Sequence, residues 1–245
     1  MIDIRIKYQA SIFVDANDIT PSPDIISPLI DIFRDKTFIP NTFQEIGPAS
    51  PVPKVRLRLS TTNNEWNIAF ATHRINIDKN PIEPRGSNLG ELSDFCSEAM
   101  DFFGRILNKF NKRANRLTLN TNGLFEEMTE TQLSTIYTKL FKTTKFYSEN
   151  PPFEWDWRSV SEIPIKILEL TDSLYVITIL KRVRGEIGGQ SGVSKLDRIQ
   201  CSPDINTSSQ NTNYRFGLPH IKNYFPQALE IHNMLIEQME EYINA

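Results

Sequence analysis

The run Gly185-Glu186-Ile187-Gly188-Gly189-Gln190-Ser191-Gly192 comes nearest in composition to a chemical motif, a glycine-rich phosphate loop. A phosphate cradle needs backbone N–H groups aimed at one anion, usually at a helix start. Here no Gly-Lys-Ser/Thr closes the motif, and Val193 to Ile199 alternates like a strand. The run reads instead as the glycine tip of a β-hairpin. A metal-dependent nuclease would need carboxylates and a lysine spaced to hold magnesium and steady the attack. Glu169, Asp172 and Lys181 lack that spacing, and so do Glu162 and Lys166. His73, His220 and His232 are dispersed, with no His-x-x-x-His or Cys-x-x-Cys pair for zinc. A Cys–His couple would require Cys96 or Cys201 to meet a histidine in space. No metal or cofactor is therefore expected, and binding is expected over catalysis.

Two groups of residues carry the binding expectations. Phe153-Glu154-Trp155-Asp156-Trp157-Arg158 follows Pro151-Pro152 and reads as a tryptophan-bearing loop. The tryptophans either pin that loop to the body or present a protein-binding patch, since Trp and Arg dominate interface hot spots. Trp155, Trp157 and Arg158, with Glu186 and Gln190 of the glycine tip, are the candidate protein-binding residues. The hairpin arms carry Lys181, Arg182, Arg184, Lys195 and Arg198. A basic β-ribbon can enter a nucleic-acid groove and neutralise phosphates, so these five are the alternative, nucleic-acid-binding set. Glu186 and Asp197 dilute the patch, and a solvated strand face would give the same pattern.

The elements that must position these residues are legible from periodicity. Ile2, Ile4, Ile6, Tyr8 and Ala10 alternate with polar residues, which predicts a strand continuing to Val14. Ser22-Pro23 opens a short helix with an apolar stripe through Phe33. Residues 36–53, rich in proline, read as an ordered loop or a short edge strand. Val55, Leu57 and Leu59 pair across a Thr61–Asn64 turn with Trp66, Ile68 and Phe70, and that strand runs on to Ile77. A long helix is predicted over 88–113, then a strand over 116–120 and a turn at Asn122-Gly123. Thr129 and Gln132 form a capping box opening a helix through Phe141. Strands are predicted at 165–170, 174–183 and 195–201, a flexible polar segment at 202–214, and a helix from Pro226 to Ile243.

Strand–strand–helix order without repeated βα units predicts an α+β fold. Its antiparallel sheet would carry long helices packed on one face, arranged as two similar lobes. The lobes would be residues 1–150 and 151–245, unless the chain is one continuous domain with a loop at Asn150-Pro151-Pro152.

Trp66-Asn67-Ile68, Arg74-Ile75-Asn76-Ile77, the long aromatic helix, Arg116-Leu117-Thr118-Leu119-Asn120, Asp204-Ile205-Asn206 and the closing helix around Phe225, Leu229 and His232 occur in order. Together they make the chain resemble a sporadically distributed family of uncharacterised bacterial proteins of about this length. That resemblance implies an accessory role in a defence or toxin–antitoxin-like gene cluster, with no activity attached.

The formal net charge of −3 over 245 residues argues against a surface wrapped wholly in nucleic acid. Cys96 and Cys201 are too few for a disulfide framework. The N-terminus lacks a signal-peptide pattern, and no apolar run approaches a membrane span. A soluble cytoplasmic protein is expected: a non-catalytic subunit or regulator that binds another protein, with self-association or nucleic acid as secondary partners.

Overall fold

The computed structural model describes residues 2–47, 50–83, 89–189 and 192–244. They form strands β1 (Ile2–Phe13), β2 (Phe38–Gly47), β3 (Ser50–Thr61), β4 (Trp66–Ala71), β5 (Arg74–Lys79), β6 (Arg116–Phe125), β7 (Trp155–Ile167), β8 (Leu170–Gly189) and β9 (Gly192–Thr207). The helices are α1 (Pro23–Ile32), α2 (Leu92–Phe110), α3 (Glu130–Leu140), α4 (Lys145–Glu149) and α5 (Leu218–Asn244). The fold is mixed α and β. The nine strands make one antiparallel sheet ordered β2-β3-β4-β5-β1-β6-β9-β8-β7. The β6–β9 ladder joins strands on either side of residue 150, so the sheet runs through both halves of the chain.

Period-2 alternation carries in register across the ladders from β3 to β8. Leu59, Ile68, Ile77, Ala10, Leu119, Ile205 and Val176 lie opposite one another strand by strand. A second row runs through Leu57, Phe70, Ile75, Ile12 and Leu117. Helix α2 meets this apolar side because Phe95, Ala99, Phe102, Phe103 and Ile106 recur at helical spacing. Phe95 packs against Tyr8 and stacks on Trp66, with ring centroids 5.5 and 5.6 Å apart. Phe103 stacks on Phe225 of α5 at 6.1 Å. Each fully buried Phe contributes roughly 1.5–3 kcal/mol. A second, smaller core gathers Phe125, Leu133, Ile136, Tyr137, Trp155 and Leu180. The capping box forms as the sequence predicts. Gln132 N–H donates to Thr129 Oγ1, and Thr129 N–H donates to Gln132 Oε1.

Several local expectations differ. Residues 38–47 form a full edge strand, because an edge tolerates Pro40 where a central strand would lose a ladder bond. The strand predicted from Trp66 to Ile77 is two strands, β4 and β5, folded back at Thr72-His73. Asn122-Gly123 is not a turn. It lies inside β6, opposite a register shift between Arg5 and Lys7 of β1. A Cβ on Gly123 would sit 2.8 Å from the Ile2 side chain, so close strand approach is what requires glycine there. Residues 202–207 of the segment expected to be flexible belong to β9. Trp155 and Trp157 sit in β7 rather than a loop. Helix α5 begins at Leu218 and carries Pro226 in its interior.

Strands β7 and β8 turn through Leu168 and Glu169. Leu168 is exposed and adopts φ 55°, a left-handed conformation that costs a non-glycine residue roughly 1–2 kcal/mol. Leu168→Gly removes that strain, and its backbone N–H still donates to Asn223 Oδ1. The variant is expected to be about 1 kcal/mol more stable in urea denaturation, after the added unfolded-state entropy of glycine.

Candidate functional site

The basic residues of the β8–β9 hairpin do not form one patch. Cross-strand register puts Arg182, Arg184 and Lys195 on the face shared with Trp155 and Ile199, and puts Lys181 and Arg198 on the other. Most are held by carboxylates. Arg182 is only 2 % exposed. Its Nε donates to Asp197 Oδ1 at 2.9 Å, and its Nη1 donates to Glu130 Oε1 at 3.1 Å. Arg184 Nε donates to Asp197 Oδ2 at 2.9 Å. Arg198 donates to Asp3, to Glu127 and to the Phe125 carbonyl. Lys181 lies 3.6 Å from Asp156, and exposed Lys195 sits opposite Glu186. These bonds tie α3 and the end of β6 to the hairpin. The two arginines hold the Asp197 carboxyl below its usual range, Arg182 most strongly. Arg182 likewise holds Glu130 down.

The tryptophan run is divided in the same way. Trp155 is 8 % exposed and packs beside Tyr137 and Phe141 in the smaller core. Its ring is therefore part of the interior. Trp157 is half-buried against that core, and Arg158 is exposed on β7. Of Glu186 only the backbone is described, and Gln190 lies outside the described residues.

The side chains opposite the apolar rows make the more distinctive surface. One row crosses all nine strands as Asn41, Arg58, Ala69, Asn76, Ser11, Thr118, Asn206, Tyr175 and Glu162. The next runs through Ser60, Asn67, Asp78, Gln9, Asn120, Asp204, Ile177 and Val160. Amides and hydroxyls dominate where lysine and glutamate would serve solvation. They bond along the rows: Gln9 Nε2 donates to Asp78 Oδ1 at 2.6 Å, and Ser11 Oγ donates to Asn76 Oδ1 at 2.9 Å. Arg74 and Arg116 both lie over the Phe13 ring, at 5.7 and 4.9 Å. Arg116 Nη2 donates to Asn206 Oδ1 at 2.5 Å. The buried Arg116 Nε and Asn122 Oδ1 have no hydrogen-bond partner among the described residues. Burial pushes the Asp204 carboxyl above its usual range, against the opposing pull of Arg116, Asn206 and Arg158. Lys7, Gln9, Arg58, Arg74 and Asp78 line a trough of about 790 Å³ on this face.

Sequence reasoning missed this surface because it sought residues clustered along the chain. Its signal was the chemistry of the polar members of each alternating strand: Gln9, Ser11, Asn67, Asn76 and Asn120 are neutral.

A smaller cleft of about 280 Å³ lies beside α5 and is lined by Tyr8, Thr121, His232, Ile236 and Glu240. His232 Nε2 is hydrogen-bonded to Thr121 Oγ1 at 2.8 Å, and burial lowers its pKa. Both cysteines are buried and unpaired, and burial pushes each thiol up to about 12, which disfavours the reactive thiolate. Among the described residues, no three His, Cys, Asp or Glu side chains converge as metal ligands. No described helix is long and apolar enough to cross a membrane. Comparison of the chain with family models, with curated proteins and with solved structures finds no match.

Arg182→Met leaves Asp197 and Glu130 with the more exposed Arg184 as their one shared cation. Both carboxylates keep some access to water, which limits the penalty to about 2 kcal/mol by chemical denaturation. Asp204 gives a second expectation. A folded-state pKa above the unfolded value means that ionisation opposes folding. The loss begins as pH rises through the ordinary carboxylate range and is complete once pH passes the raised folded value. Asp204→Asn is therefore expected to raise the melting temperature at pH 7 and to flatten its decline between acid and neutral pH.

Proposed function

We propose that this chain is a non-catalytic protein-binding subunit that engages its partner through the amide- and hydroxyl-rich face of the sheet. In this reading α1, α2, α3 and α5 form one layer over the opposite face, and the two lobes are wings of one sheet on either side of β1 and β6. Helix contacts support that layer: Phe33 with Phe38, Phe95 with Tyr8, His232 with Thr121, and Tyr137 with Trp155 all involve strand residues on the apolar side.

The observation that carries the proposal is the pair of rows, one crossing all nine strands and the next crossing eight. They join neutral hydrogen-bonding groups and arginines to Tyr175, Ile177 and exposed Val160, with buried polar atoms left unpaired. Protein interfaces combine apolar area with hydrogen-bonding groups, and here the apolar area lies at the β7–β8 end of the rows. Nucleic acid is the weaker reading, because Arg182, Arg184 and Arg198 are engaged by carboxylates and Asp78 and Asp204 stand in the rows. The resemblance to the sporadic bacterial family supports an accessory place in a defence gene cluster.

The test is co-purification of the tagged chain from its native host. The doubly substituted Tyr175→Asp, Ile177→Asp chain, changed on β8 and away from the β7 edge, is expected to lose the partner retained by wild type. Met234→Asp, at an exposed position of α5, is expected to keep it. Circular dichroism checks folding of each. A folded face variant that retains the partner overturns the assignment.

A further inference from the structure

Strand β7 is one of the two edges of the sheet and pairs only with β8 over Trp155–Ile167. An edge strand offers a row of unpaired N–H and C=O groups, and the ladder shows which residues supply them. Ser208 N–H donates to the Ser173 carbonyl at 2.8 Å, continuing the β8–β9 register beyond Leu174 and Thr207. In an antiparallel strand the N–H and C=O of one residue point the same way. Ser173 therefore points toward β9, and Pro164 opposite it in β7 points away from β8, to the open side. The pairing of β7 has no register shift, so Asp156, Arg158, Val160 and Glu162 share that outward direction, as does Lys166, whose carbonyl already accepts from Gln227 Nε2 at 3.2 Å. Pro164 sits where its missing N–H costs the β7–β8 ladder no bond, and an added strand centred on Val160 would lose one bond there, at the end of the paired segment.

We propose that β7 is a self-association edge, at which a second copy of this chain adds its own β7 antiparallel about a two-fold axis through Val160. Centred there, Val160 lies opposite the partner's Val160, and Arg158 lies opposite the partner's Glu162. The two-fold repeats that ion pair, which makes the contact isologous. On the other side of the strand Trp157 meets the partner's Ile163. Directly opposed unlike charges and apolar pairs stabilise a ladder, and like charges destabilise it. Neighbouring registers lose this match. Moving the centre to Ser161 sets Val160 against the partner's Glu162. Moving it to Glu162 sets that carboxylate against its own copy and Arg158 against the partner's Lys166. The edge is also accessible: Val160 is 46 % and Ile163 36 % exposed, and the side chains of Arg158 and Glu162 are exposed. Docking would extend the sheet continuously from one subunit to the next, by the same strand addition that proteins use to bind peptides.

The test is oligomeric state by analytical ultracentrifugation of the full chain, with circular dichroism to confirm folding. Wild type is expected to be a concentration-dependent dimer. Arg158→Glu and Glu162→Arg, which each oppose like charges twice, are expected to be monomers. The double variant R158E/E162R restores opposite charges and is expected to recover the dimer. A wild type that stays monomeric at every concentration tested, single variants that remain dimers, or a double variant that stays monomeric would each overturn the proposal. None of these results depends on the face assigned above to another protein.

Discussion

Register is the constraint on which the molecule depends. Eight antiparallel ladders connect β2 to β7, and each must keep its apolar residues on the same side as its neighbour's. A slip of one residue in any ladder would turn a strand over, burying amides against α2 and presenting isoleucines to water. Strand β1, at the middle of the order, meets this demand from both sides, pairing with β5 and with β6. Where β1 is irregular, between Arg5 and Lys7, β6 answers with Gly123, whose missing side chain lets Ile2 approach. The same shift brings Arg5 to the α2 end of the sheet, where its Nη1 donates to the Gly90 carbonyl at 2.7 Å.

A second constraint is electrostatic. The long hairpin of β8 and β9 extends beyond the strands that flank it, and its buried guanidinium groups need partners. Glu130 from the first turn of α3 and Asp197 from β9 share Arg182, while Asp3 and Glu127 share Arg198. Charges that look like a ligand-binding ribbon in one dimension thus act as internal ties in three. The smaller core beside the Arg182 tie is built on Trp155, Tyr137 and Phe141.

The polar face is costly to maintain. Burial penalises the ionised form of Asp204, and Arg116 and Asn122 carry buried atoms without partners among the described residues. Natural proteins keep such groups where function needs them, at some loss of stability. The neighbouring Tyr175, Ile177 and Val160 supply apolar area on the same surface, so hydrogen-bonding capacity and desolvation are available together.

Periodicity and local chemistry in the chain were enough to determine strand alternation, the apolar stripe of α2, the capping box at Thr129 and the antiparallel class of the sheet. These depend on contacts between residues a few positions apart, which the chain itself displays. The pairing of β6 with β9, the burial of Trp155 and Arg182, the close approach behind Gly123 and the continuity of polar rows across nine strands belong to the tertiary structure alone. Each joins residues far apart in sequence, and whether an arginine is a ligand or a tie depends on which carboxylate the fold delivers to it.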